Sequence, residues 1–304
     1  LQDIFLYLTL GLGIGILSGF FGIGGGFILT PVLLLLSFNP VIAIATSLLY
    51  TIATSLSGAF AHYRLKQIKW KPALMIGMSG VVATQIAHPF VILLEDLHVE
   101  DTVVPLMYIV LISYFSFTLL WNPKKGKNLV RNDSKSKPHL IFKAIMIGLF
   151  AGFISTTLGV GGGFIIVPLT LSILSFSPKE AVGTSLFSVF MIVLAGFTSY
   201  AFTTPLNYEI SGILTIGAII GGQLGALSTK GYPNKQIQHF LAGLYIATGL
   251  SLILKLFNLD TLGFLLLSIY CIFLLIHFLI HSLRIWMFMK KKSKFHKEKR
   301  KRLV

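Results

Sequence analysis

Charge is scarce in this chain: Asp, Glu, Lys and Arg make up 12% of its 304 residues, against roughly 25% in an average soluble domain. That deficit argues against a soluble fold. Cysteine is nearly absent. The single Cys271 excludes an intramolecular disulfide and any CxxC redox or zinc motif. There is no HExxH, no GxSxG and no Asp pair inside an apolar segment. The chain therefore reads as a non-enzyme, and no cofactor or metal is expected. Acidic residues number 10 against 25 basic ones, and the formal charge of +15 raises nucleic acid as a partner. The basic residues, however, cluster in loops between apolar runs and in one tail, where membrane topology accounts for them. That excludes nucleic acid.

Apolar length is what the chain has in abundance. Segments read at about 4–21, 27–37, 41–61, 72–94, 102–121, 140–158, 164–175, 178–201, 209–228, 239–257 and 261–289. Most reach the roughly 20 residues, about 30 Å of helix, that cross a bilayer. Residues 4–21 have no basic region before them and no A-x-A site after them, so they read as a span and not a signal peptide. Segments 27–37 and 164–175 reach only about 17 Å, half the hydrocarbon thickness. Each directly follows a glycine cluster, GIGGG at Gly22–Gly26 and GVGGG at Gly159–Gly163.

The loops sort by charge. Loops 62–71, 122–139 and 229–238, turn 175–180 and the tail carry Lys or Arg, whereas 37–40, 95–101, 202–208 and 258–260 carry none. The positive-inside rule places the first group in the cytoplasm. The segments then alternate sides without conflict, provided that each glycine cluster joins a long arm to a short arm returning to the same face. The N-terminus lies outside and the C-terminus inside, in a multi-pass protein of the cell (inner or plasma) membrane.

An offset of 137 residues maps Ser18 to Ser155, Gly22 to Gly159, Gly24–Gly26 to Gly161–Gly163 and Pro31 to Pro168. After one inserted residue, an offset of 138 maps Asn39-Pro40 to Ser177-Pro178, Thr46-Ser47 to Thr184-Ser185 and Gln85 to Gln223. The copies are separated by an odd number of spans. The expected fold is thus an all-α polytopic membrane protein with two inverted-topology repeats, each a long/short hairpin broken at a glycine cluster plus three spanning helices. The division is 1–121 for the N-terminal repeat, 122–139 for a basic cytoplasmic linker and 140–257 for the C-terminal repeat. An extra transmembrane helix at 258–289 and a basic tail at 290–304 follow.

Glycine weakens a helix interior by about 1 kcal/mol, and broken backbone inside a membrane is tolerated only where protein or a water-filled cavity covers it. The breaks should therefore face inward. The short helices after them start at Phe27 and Phe164, with N–H groups that lack helical partners and carry the positive dipole end. Such an end is a ready anion site, and two brought together could hold one small anion without a buried Lys or Arg. Gly24, Gly25, Gly26, Phe27, Gly161, Gly162, Gly163 and Phe164 are the candidate substrate-binding residues. Close helix packing through GxxxG-like contacts is the competing explanation of the glycines. No Lys-Ser or Lys-Thr follows either cluster, so neither is a phosphate loop.

Asn39-Pro40 and Ser177-Pro178 read as helix starts, the latter a capping box with Glu180. Thr46-Ser47 and Thr184-Ser185, about two turns on, could complete an anion shell; one such pair alone reads as hydroxyls bonded to their own helix, and the matching positions in both halves bring the site reading level with that. Gln85 and Gln223 should face the interior as substrate contacts or interhelical glue. His88 is a candidate proton carrier beside a structural reading. His277 and His281 share a face but lack a third metal ligand.

At these residues, GIGGGFILTP (Gly22–Pro31), GVGGGFIIVP (Gly159–Pro168), ATS (Ala45–Ser47), GTS (Gly183–Ser185) and GGQLGA (Gly221–Ala226), the chain resembles the TauE/SafE sulfite exporter family, also called the toluene sulfonate uptake permease superfamily. The likeness covers about residues 4–257. It implies a secondary transporter, often an exporter, of sulfite, an organosulfonate or another small sulfur-containing or carboxylate anion, working by alternating access. An anion channel and a membrane assembly or partner-binding protein are the other readings. The first copy departs from the pattern with ATQIAH (Ala83–His88). The extra helix and tail are not usual in the family. The partners implied are a small anionic substrate and the lipid bilayer, and the extra helix leaves a homo-oligomer open.

Overall fold

The computed structural model describes residues 2–121, 137–204 and 208–301, and among these every regular element is a helix. In chain order they are α1 (Gln2–Phe21), α2 (Gly26–Leu35), α3 (Pro40–Arg64), α4 (Trp70–Asp96), α5 (Glu100–Trp121), α6 (Lys137–Leu158), α7 (Gly163–Ile173), α8 (Pro178–Ala201), α9 (Tyr208–Ser228), α10 (Asn234–Leu256) and α11 (Asp260–Lys301), with a 3-10 turn at Thr229–Gly231. Nine of the described helices are long and apolar enough to cross a membrane. Helices α2 and α7, of 10 and 11 residues, are not. The linker expected at 122–139 lies outside the described residues, apart from its last three, which open α6. Helix α11 runs without a break past 289 to Lys301, so the tail continues the extra helix up to that point.

Local chemistry sets the helix ends. Asn39 Oδ1 accepts from the Val41 and Ile42 N–H groups at 2.9 and 3.3 Å, with Pro40 opening α3. Ser177 and Glu180 form the reciprocal capping box of α8, again with Pro at the first position. Several helices end on a residue in the left-handed region: Ser37, Lys66, His98 and Asn258. There the chain closes tight turns such as Phe38 N–H to Leu33 O and Leu259 N–H to Leu254 O.

Packing crosses between the two stretches that the 137/138 offset relates. Helix α1 lies along α9, and α4 lies along α6; the 137/138 offset maps one pair onto the other. Both seams are built from small residues. A methyl group on Gly11, Gly15 or Gly19 would run into the α9 backbone, and one on Gly148 or Gly152 into that of α4. Helices α3 and α8 pack against each other between the seams, and α5 pairs with α10. The large core residues are tyrosines whose hydroxyls end on backbone carbonyls. Tyr50 donates to Gly11 O at 2.5 Å, Tyr108 to Leu158 O at 3.0 Å, Tyr200 to Thr156 O at 3.0 Å and Tyr245 to Phe164 O at 2.7 Å. A buried Tyr hydroxyl needs such a partner. Helix α11 is seated on the bundle by an aromatic cluster in which Tyr232 meets Phe20, Phe278, His277 and His281.

Candidate functional site

Both glycine clusters break the helix inside the bundle. Residues 22–27 and 159–164 are all buried. The turn out of α1 needs the left-handed conformation at Gly22 and Gly24 (φ 70° and 80°), and the turn out of α6 needs it at Gly159, Gly161 and Gly162 (φ 70°, 84° and 72°). Only glycine adopts these angles without strain. Helices α2 and α7 begin one residue earlier than the sequence suggests, at Gly26 and Gly163. The breaks lie back to back: a Cβ on Gly26 would overlap the Gly159 carbonyl, and one on Gly163 the Ile23 carbonyl. The Phe27 and Phe164 rings stack with centroids 5.3 Å apart. The tips of the two half-length helices therefore converge.

Each break also rests on the Pro-started helix of the other half. Gly22 packs on Val182 of α8, and Gly159 on Ile44 of α3. Ser185 Oγ donates to the Gly22 carbonyl at 2.9 Å, and Thr30 Oγ1 to the Gly159 carbonyl at 3.2 Å. These bonds hold the freed carbonyls of α1 and α6.

The N–H groups are treated differently in the two halves. Gly26 N–H donates to Thr51 Oγ1 at 2.7 Å and Gly25 N–H to Thr54 Oγ1 at 3.2 Å. Thr51 Oγ1 in turn donates a hydrogen bond to the Ser47 carbonyl at 2.6 Å. The offset of 138 puts Val189 and Ile192 where Thr51 and Thr54 stand, and neither carries a hydroxyl. The N–H groups of Gly161, Gly162, Gly163 and Phe164 have no hydrogen-bond partner among the described residues. The backbone responds: Gly25 is right-handed at φ −65°, whereas Gly162 is left-handed.

The other sequence-chosen residues divide. Thr184 Oγ1 accepts from Lys69 N–H at 3.0 Å, so that hydroxyl and the one of Ser185 are engaged in structural bonds between the halves. Thr46 is buried, and Ser47 Oγ is buried without a partner among the described residues. Gln85 and Gln223 do not face the interior. Both are exposed on the outer faces of α4 and α9, because the inward seams are taken by Gly80, Ala83, Thr84 and Ala87, and by Ala218, Gly221, Gly222 and Gly225. His88 is half-buried, its Nε2 3.2 Å from Thr203 Oγ1 and its ring edge-on to Tyr200. His277 Nδ1 meets the Tyr232 hydroxyl at 2.9 Å. Burial pushes that hydroxyl up to about 12, which keeps it protonated. Among the described residues no three His, Cys, Asp or Glu gather into a metal site.

The sequence reading missed His62. It is fully buried, with Nδ1 2.6 Å from Gln67 Oε1 and Nε2 3.2 Å from the Gly19 carbonyl. The offset maps His62 to Tyr200 and Gly19 to Thr156, so the two side chains make the same tether in each half. That mapping was the available signal. Also missed were Ser18, Ser155 and Thr156, whose buried hydroxyls have no partner among the described residues.

The fold defines a multi-pass helical membrane protein built around two interrupted helices. A family model for the sulfite exporter TauE/SafE matches residues 7–252, and the chain belongs to that family. It is 25% identical over 249 residues to the probable membrane transporter protein YjnA of Bacillus subtilis strain 168, covering 81% of this chain and 98% of that one. It is 27% identical over 272 residues to the probable membrane transporter protein YunE of the same organism, covering 82% and 96%. The probable membrane transporter protein MJ0441 of Methanocaldococcus jannaschii is 25% identical over 264 residues, covering 82% and 95%. No solved structure matches the chain. Family and relatives together make it a membrane transporter.

Proposed function

We propose that the chain is a secondary transporter, working as an exporter, of a small anion such as sulfite, an organosulfonate or a related carboxylate. The observation that carries the reading is the meeting of two half-length helix starts inside the bundle, with N–H groups at the tip of α7 that are unpaired among the described residues. Amide donors and a positive dipole end favour an anion, and the family's name supplies sulfite as the first substrate to try. Helices α1–α5 and α6–α10 act as the two repeats, inverted across the membrane, and rock about the breaks in alternating access. The tight seating of the breaks supports a carrier over an open channel. Loop charge supports a cell-membrane location with the N-terminus outside and the C-terminus cytoplasmic.

Purified protein in proteoliposomes tests this. Sulfite, methanesulfonate, sulfoacetate, thiosulfate and acetate are offered with and without a pH gradient. Saturable uptake with counter-exchange for at least one of them is expected. Unsaturable current would make the protein a channel, and absence of flux for all of them would remove the anion reading.

A further inference from the structure

The two breaks match in sequence and differ in what satisfies them. We propose that the second break alone, with Ser155, holds the anion, and that it holds a singly charged oxyanion; this rests on the transport reading above. The first break brings its own acceptors, since Thr51 and Thr54 occupy the Gly26 and Gly25 amides. An anion arriving there would have to displace both hydroxyls. At the second break four consecutive N–H groups, Gly161 to Phe164, are free of protein acceptors among the described residues.

Ser155 is the independent pointer to a ligand. It lies on α6, is fully buried, and its Oγ has no partner among the described residues. That oxygen stands 3.5 Å from where a Cβ on Gly162 would be, beside the open amides. A buried hydroxyl and buried amides without acceptors are costly. An oxyanion, with several acceptor oxygens, is the kind of ligand that would satisfy such donors. Every one of these donors is neutral, and among the described residues no Lys or Arg is buried. The helix end supplies only about half a unit of positive charge. Desolvation of an ion rises with the square of its charge, so a second negative charge would be uncompensated here. A sulfonate or hydrogen sulfite fits the donor set; sulfate and fully ionised sulfite do not.

Proteoliposome uptake of sulfite and methanesulfonate by the full chain tests the proposal. Ser155→Ala should raise the apparent KM for both by about tenfold or more, the usual loss of a hydrogen bond to a charged group. Ser18→Ala, its equivalent in the first half, should leave KM unchanged. Val189→Thr, nearly isosteric, places a hydroxyl where Thr51 stands in the first half and should raise KM by capping the α7 amides itself. In the unaltered protein, methanesulfonate should slow amide hydrogen exchange in 159–166 and not in 22–29. Sulfite uptake should fall as pH rises through the second ionisation of sulfurous acid, while methanesulfonate uptake stays level. Equal effects of S155A and S18A, or protection centred on 22–29, overturn the one-sided site and leave transport standing. Sulfite uptake that rises with pH against a level methanesulfonate control overturns the singly charged ligand. Absence of transport and of protection by either anion overturns both this and the function it rests on.

Discussion

A methyl group is enough to disturb either break. At Gly22 it would meet the Val182 backbone 2.7 Å away, and at Gly159 the Ile44 Cα 2.6 Å away, both from a left-handed backbone. The conformational cost alone is about 1–2 kcal/mol for an L-residue. Gly22→Ala and Gly159→Ala should therefore each lower the melting temperature of the detergent-solubilised protein, and by similar amounts because the two sites are equivalent. Thr51→Val is a different kind of loss. It strands a buried Gly26 amide and should destabilise by about 1–3 kcal/mol, measured by thermal unfolding; an unchanged melting temperature would show that the amide has another acceptor. The glycine runs and the two proline-led caps were legible in the sequence because their causes lie within a few residues. The Thr51/Val189 difference was printed there too, but its meaning depends on amides 25 residues away, brought close only by the fold. Gln85 and Gln223 were misread for a related reason. A polar residue in an apolar helix is expected to point inward, while close approach of two helices reserves that face for Gly, Ala and Thr.

At the level of the element, the half-length helices and the helix that has no counterpart behave differently. Helix α2 is buried along its whole length and α7 through Pro168, and their placement depends on tethers from outside: Thr30, Tyr108 and Ser185 hold the break carbonyls, and Tyr245 holds Phe164. Helix α11 is attached at one edge of the bundle. Tyr232→Phe removes only the hydrogen bond to His277 and should cost about 1 kcal/mol, whereas Tyr232→Ala empties the aromatic cluster and should loosen α11 as a unit. Limited proteolysis near 257–260 distinguishes the two, with faster cleavage expected for the alanine variant alone. Element existence, span lengths and the two short arms could be read from hydropathy and spacing. The unbroken run of α11 to Lys301 could not, because a change from apolar to basic composition reads as an end even where nothing stops the helix.

For the molecule as a whole, the ties between halves outnumber the obvious ones. The Lys69–Glu180 ion pair, 2.7 Å long, joins the start of α4 to the start of α8. Both side chains are partly exposed, so Lys69→Gln should change stability by less than about 1 kcal/mol. The stronger clasp is the crossed packing of α1 on α9 and α4 on α6. Fragments 1–128 and 129–304, expressed together, should co-purify as a pair, and either alone should be cleared or aggregate. Independent accumulation of one fragment would show that the crossing is dispensable.

That crossing also sets a timetable for synthesis. Helix α1 leaves the ribosome more than 180 residues before α9, the surface it is shaped to meet. At roughly 5–20 residues per second, the first strip of glycines waits about ten seconds or longer beside lipid or the insertion machinery. The newborn chain must cross that interval with its closest-fitting face unmatched, and the arrival of α9, with only α10 and α11 still to be made, ends the wait.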